Sequence, residues 1–96
     1  MKDIEHISLN TQIIRKPDID IVEMDGDFVM MDLDTGLYLA FNQVSSDIWN
    51  HIQDRVTIKE VIEATMEEYD VSKETCKNRV VELVVGLEQL HLIQFI

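Results

Sequence analysis

The chain is poor in the residues that staple, break or loosen a fold: its 96 residues include one cysteine, one proline and three glycines. A single thiol, Cys76, excludes an intrachain disulfide, a CxxC redox pair and a four-cysteine zinc site. Three glycines are too few for a glycine-rich phosphate loop or for the flaps of a retroviral-type protease. Nowhere do about 18 apolar residues run uninterrupted, so no membrane span is expected. The opening MKDIEHISLN lacks the apolar stretch of a secretory signal. Positive charge is scarce as well. Eight Lys and Arg stand against 19 Asp and Glu, and the resulting net charge of −11 repels nucleic acid and anionic membranes. A cytoplasmic chain that engages neither is expected.

What is present is a hydrophobic fraction of 46%, enough for one core and, at this length, one domain spanning residues 1–96. Residues 1–11 are expected to be a loosely ordered N-terminal segment. The pattern changes near residue 42. Before it, Ile19 to Met24, Phe28 to Leu33 and Leu37 to Phe41 are strand-like runs separated by Asp25-Gly26 and Asp34-Thr35-Gly36. Asp-Gly favours the positive φ of a tight hairpin, so the runs predict an antiparallel meander. Gln12 to Lys16, ended by Pro17, is a candidate further strand. After residue 42 the period becomes helical. Val44, Ile48, Trp49 and Ile52 share one face behind Asn42 or Ser45 as cap. Thr57 and Glu60 form a capping-box pattern ahead of Ile58, Val61, Ile62, Thr65 and Met66. Ser72 precedes the longest helix, with Cys76, Val80, Leu83, Val84, Leu87 and Leu90 as its stripe. The closing LIQFI returns to strand-like composition and is expected to pack back on the core. Strands first and helices afterwards predict an α+β domain: a three-stranded antiparallel sheet followed by three helices.

Asp34-Thr35-Gly36 carries the catalytic look of an aspartic protease. Those enzymes are nearly all β and need a second apolar-apolar-Gly motif, whereas the latter half of this chain is helical. The tripeptide therefore reads as a three-residue hairpin loop, opened by Asp34 and closed by a left-handed Gly36. A calcium loop fails because apolar residues follow where oxygen ligands should stand. His6, His51 and His91 have no metal-ligand spacing, and a pairing of His51 with Asp47 one turn earlier is ordinary surface electrostatics. Cys76 lies on the apolar stripe and reads as a small core residue. No catalytic, cofactor or metal constellation is expected.

Two apolar surpluses remain. In LYLAF, Leu37, Leu39 and Phe41 point one way and Tyr38 and Ala40 the other, with no charge or proline to guard what would be a sheet edge. On the last helix, Val81 and Val85 form a second strip beside Asn78, away from the main stripe. One account has the chain's own ends cover both. The other is β-augmentation, in which an extended peptide pairs with the edge and drops its side chains against the helix.

Taken in order, RKPD (15–18), VEMDGDFVMMDLDTGLYLAFN (22–42), the Ile48-Trp49 pair, EEYDV (67–71) and the closing GLEQLHLIQF resemble the PqqD-like family. Its members are recognition elements for ribosomally made, post-translationally modified peptides. The form resembled is the free-standing protein of lasso peptide gene clusters. The resemblance implies a small winged-helix-like domain of three antiparallel strands and three helices without catalysis, and a monomer is expected. It would bind a precursor's leader as an added strand and present the precursor to a leader peptidase and a macrolactam synthetase. Carried over, Leu37, Tyr38, Leu39, Ala40 and Phe41 are the pairing edge, and Asn78, Val81, Glu82 and Val85 the groove wall. The alternatives are a chaperone for a peptide modified by a radical enzyme, as in quinone cofactor biosynthesis, a winged-helix regulator, and a homodimeric interaction domain. Acidic charge opposes the regulator, since Lys73, Lys77 and Arg79 are diluted by Glu74, Glu82 and Glu88.

Overall fold

Two short antiparallel sheets and three helices make up the structure, a computed structural model that describes residues 8–25 and 27–96. The strands are β1 (Gln12–Arg15), β2 (Ile19–Met24), β3 (Asp27–Asp32), β4 (Tyr38–Phe41), β5 (Val56–Thr57) and β6 (Ile93–Phe95). The helices are α1 (Gln43–Asn50), α2 (Ile58–Glu68) and α3 (Lys73–Gln89). The expected meander is the sheet β2-β3-β4, with Met30 opposite both Ile21 and Leu39. The candidate strand at Gln12 and the terminal LIQFI meet in a second sheet, ordered β5-β1-β6, which no local period foretold. Its members are two to four residues long and distant in sequence, so only tertiary pairing defines them.

Each helix begins where its side-chain chemistry directs. Asn42 accepts from the Ser45 amide at 2.8 Å, and Ser72 accepts from the Thr75 amide at 3.1 Å. Thr57 and Glu60 exchange both bonds of a capping box. The end of α3 is less obvious. His91 takes φ 62° in the left-handed region where glycine is usual, and the Leu92 amide returns to the Leu87 carbonyl. That reversal sends Leu92 and Ile93 into the core, beside Ile13, Trp49, Val80 and Leu87. Leu90, expected on the buried stripe, is instead 43% exposed, because it caps the helix as the chain turns away.

The β3–β4 turn departs from its expected form. The Asp32 amide donates to the Leu37 carbonyl and the Gly36 amide to the Asp32 carbonyl, so residues 33–36 form a four-residue loop rather than three. Gly36 does adopt positive φ, 78°. The opening aspartate, however, is Asp32, whose carboxylate accepts the Asp34 amide at 3.0 Å in the manner of an Asx-turn. Asp32 is buried and receives Lys16 Nζ at 2.8 Å, while Asp34 lies in solvent, 3.3 Å from the same ammonium. His51 pairs with Glu68 at 2.6 Å, not with Asp47, which instead accepts the Tyr69 hydroxyl. Cross-element partners outcompete the neighbour one helical turn away. Cys76 is buried as expected, and burial pushes its thiol pKa up.

Of the N-terminal segment expected to be loose, residues 1–7 lie outside the described residues. Ser8 to Thr11 is tied down: the Leu9 and Thr11 carbonyls accept the amides of Lys59 and Ile58.

Lys16 follows β1 and Asp32 ends β3, so their contact couples the two sheets. The hydrogen bond from Lys16 holds the Asp32 carboxyl below its ordinary range against the opposing cost of burial. A depressed carboxylate stabilises the fold above its unfolded pKa of about 3.9 and loses that contribution as pH falls through the lower folded value. Melting curves therefore test the link. Asp32→Asn is expected to lower Tm at neutral pH and to flatten the Tm decline below about pH 4 relative to wild type; parallel profiles would show that the pair contributes nothing.

Candidate peptide-binding groove

Among the described residues β4 pairs with β3 alone and forms the rim of its sheet. In the loop before it, Leu37 gives its carbonyl to Asp32. Ladder bonds alternate along an antiparallel pair, so Leu39 and Phe41 likewise turn their backbone groups toward β3. Tyr38 and Ala40 then direct N–H and C=O outward, to the open edge. Side chains alternate too: Phe41 is buried and Leu39 half-buried, whereas Tyr38 is 69% exposed. The edge thus has unpaired main chain, an apolar inner row and an aromatic on its outer face.

Beside the edge runs a groove of about 360 Å³ between β4, the start of α1 and α3. Leu39, Asn42, Val44 and Ile48 line one wall. From α3 come Arg79, Leu83, Gly86 and Leu90, spaced four, three and four residues apart and so aligned on one face, together with Glu82 and Leu87. That line is about 16 Å long at 1.5 Å per residue, the length of about five extended residues. The edge and the helix are therefore matched in length to one short strand.

Gly86 sharpens the reading. A mid-helix glycine costs up to about 1 kcal/mol relative to alanine. Here its φ is not left-handed, and a Cβ built on it meets no atom within 4 Å. Nothing in the described fold requires glycine, yet its absent side chain keeps the groove floor open to a close backbone approach.

The sequence-derived residues divide between two hollows. Leu39 and Glu82 line the groove beside β4. Asn78, Val81 and Val85, again with Glu82, line an adjoining hollow of about 550 Å³ whose other wall is Ser8, Leu9 and Ile58. Glu82 stands on the ridge between them. The sequence pattern does not mark Arg79, Leu83, Gly86 and Leu90 as groove residues, because Leu83 and Leu90 read as core stripe and the other two carry no apolar signal. Spacing at i, i+4, i+7 and i+11 from Arg79 was the clue available.

The comparisons agree with this architecture. The family model described as Coenzyme PQQ synthesis protein D (PqqD) matches residues 27–93. Among solved structures, the chain is similar to "TbiB1 in Complex with the TbiA(beta) Leader Peptide", at 21% identity and TM-score 0.69, covering 84% of this chain and 94% of that one. It is equally similar to "Lasso peptide synthetase B1 complexed with the leader peptide", again 21% identical with TM-score 0.69, covering 85% and 96%. At this identity both establish the fold. No curated protein matches the sequence.

If Gly86 serves the groove and not the fold, Gly86→Ala should raise the unfolding free energy in urea by about 0.5–1 kcal/mol. A loss of stability would mean that the helix needs its glycine.

Proposed function

The chain belongs to the PqqD family, and we propose that it captures the leader of a ribosomally made precursor peptide by adding it as a strand to β4. The observation that carries this reading is the open edge of Tyr38 and Ala40 lying beside a groove of matching length. Both similar solved structures are complexes with a leader peptide, which supports a leader as the ligand. Residues 1–96 would act as one recognition domain. Leu37 to Phe41 supply the pairing edge. Glu82, Arg79, Leu83, Gly86 and Leu90 form the near wall, and Asn78, Val81 and Val85 extend the surface across α3.

The chemistry is recognition without catalysis, and it calls on no cofactor. A leader that orders on binding loses chain entropy, so affinity comes from main-chain bonds plus a few apolar anchors. Affinity in the micromolar to submicromolar range, about −8 to −10 kcal/mol, fits such an interface. Main-chain pairing tolerates sequence variation while side-chain pockets select. The domain would thereby hold the leader and offer the precursor to a leader peptidase and a macrolactam synthetase of lasso peptide biosynthesis. Among the described residues no helix is long and apolar enough to cross a membrane.

Isothermal titration with the leader of the neighbouring precursor gene tests the proposal. Saturable binding is expected. It should weaken at least about tenfold in Tyr38→Pro, which removes a donor from the open edge but none from the β3 ladder. Gly86→Trp, which fills the groove, should weaken it similarly. Circular dichroism must show both variants folded. No saturable binding by wild type, or unchanged binding by folded Tyr38→Pro, sinks strand addition at β4.

A further inference from the structure

Arg79 is out of keeping with its surroundings. The protein carries eight basic residues and a net charge of −11, yet one of those bases stands in the groove among the apolar Leu39, Val44, Ile48, Leu83 and Leu90, with Asn42, Ser45 and Glu82 as the other polar lining. Two of the bases are engaged within the fold: Arg15 lies 4.9 Å above the Trp49 ring and Lys16 bridges Asp32 and Asp34. Among the described residues no carboxylate lies within 4.0 Å of the Arg79 guanidinium, despite the excess of acids. Glu82, one turn on, also lines the groove and is not paired with it. The side chain is exposed, so it stays hydrated in the free protein, but it borders two hollows at once. Beyond it opens a smaller one of about 160 Å³, bounded by Val44, Ile48, Tyr69, Val71 and Cys76. The polar groups there are committed, since the Thr65 hydroxyl bonds the Val61 carbonyl and the Tyr69 hydroxyl bonds Asp47. Asn42 and Ser45 line the same groove and can donate neutral hydrogen bonds, but Arg79 is the cationic donor there. A guanidinium against apolar walls gains most from a partner that is both anionic and planar, and a carboxylate accepts its fork of donors.

Resting on the peptide-capture reading, we propose that Arg79 sets the specificity of the groove by pairing with an acidic side chain of the bound peptide. Arg79 and Gly86 are seven residues apart on one line of α3, about 10 Å along the axis. A strand passing Gly86 places an inward side chain near Arg79 about three residues further on. The preferred peptide therefore has Asp or Glu at one fixed position, followed or preceded by apolar residues that face Leu83 and Leu90. Glu82, on the same wall, disfavours a second acid beside it. Charge selection at one position would let a protein that pairs through main chain discriminate among extended peptides.

Selection from a displayed library of random dodecapeptides tests this on the full chain. Wild type should enrich Asp or Glu at a single register position. Arg79→Gln should lose that preference, and Arg79→Glu should replace it with Lys or Arg. For a selected peptide, changing the acid to its amide should weaken wild-type binding about fivefold, as for a partly exposed ion pair, and leave Arg79→Gln unaffected. An identical acidic preference in Arg79→Glu, or enriched peptides without charge preference, would overturn the proposal while leaving peptide capture intact. If wild type enriches no peptide at all, peptide capture itself fails, and the role of Arg79 with it.

Discussion

A strand at the rim of a sheet has one row of backbone donors and acceptors without partners, and β4 carries such a row at Tyr38 and Ala40. Natural edges are commonly blunted by charge, proline or a bulge. None of these interrupts Tyr38 to Phe41. Much of the architecture acts to keep this edge straight and exposed. Phe41 and Leu39 anchor it from within, opposite Phe28 and Met30. At one end the four-residue turn is locked by Asp32 and, through it, by Lys16, which follows β1 of the other sheet. At the other end Asn42 leaves the strand and caps α1 at once, so the rim is held between two fixed points.

The last helix divides its circumference among three tasks. Cys76, Val80, Val84 and Leu87 build the core. Arg79, Leu83, Gly86 and Leu90 line the groove beside β4, and Asn78, Val81 and Val85 line the hollow shared with Leu9 and Ile58. A helix used on all sides cannot have one clean apolar stripe, which explains why valines appear where a simple surface helix would carry charge. Gly86 fits the same division: glycine there costs the helix slightly and leaves the groove floor open.

Much of this was legible in the sequence because it rests on local chemistry. Asn42, Thr57 and Ser72 announced the helix starts, and alternation in LYLAF gave the inward and outward rows of β4. The sheet β5-β1-β6 was not legible as a unit, since its strands are two to four residues long and meet only through tertiary contacts. Asp32 was overlooked as the turn-opening residue because its lysine partner lies 16 positions away. The reversal at His91 was equally silent, a left-handed position held by a residue that does not advertise it. The groove-wall positions of Arg79 and Gly86 carry no signal for a related reason: periodicity finds apolar faces, not an absent side chain or an isolated charge between them.

Strand addition would pair the N–H and C=O of Tyr38 and of Ala40. Residue-resolved amide hydrogen exchange, with and without the precursor leader, reads the two N–H groups directly. In the free protein the Leu39 and Phe41 amides should be protected by β3 while those of Tyr38 and Ala40 exchange rapidly. With leader bound, Tyr38 and Ala40 should become protected together. Binding that leaves both amides exchanging as before, or protection of both already in the free protein, would contradict strand addition at β4.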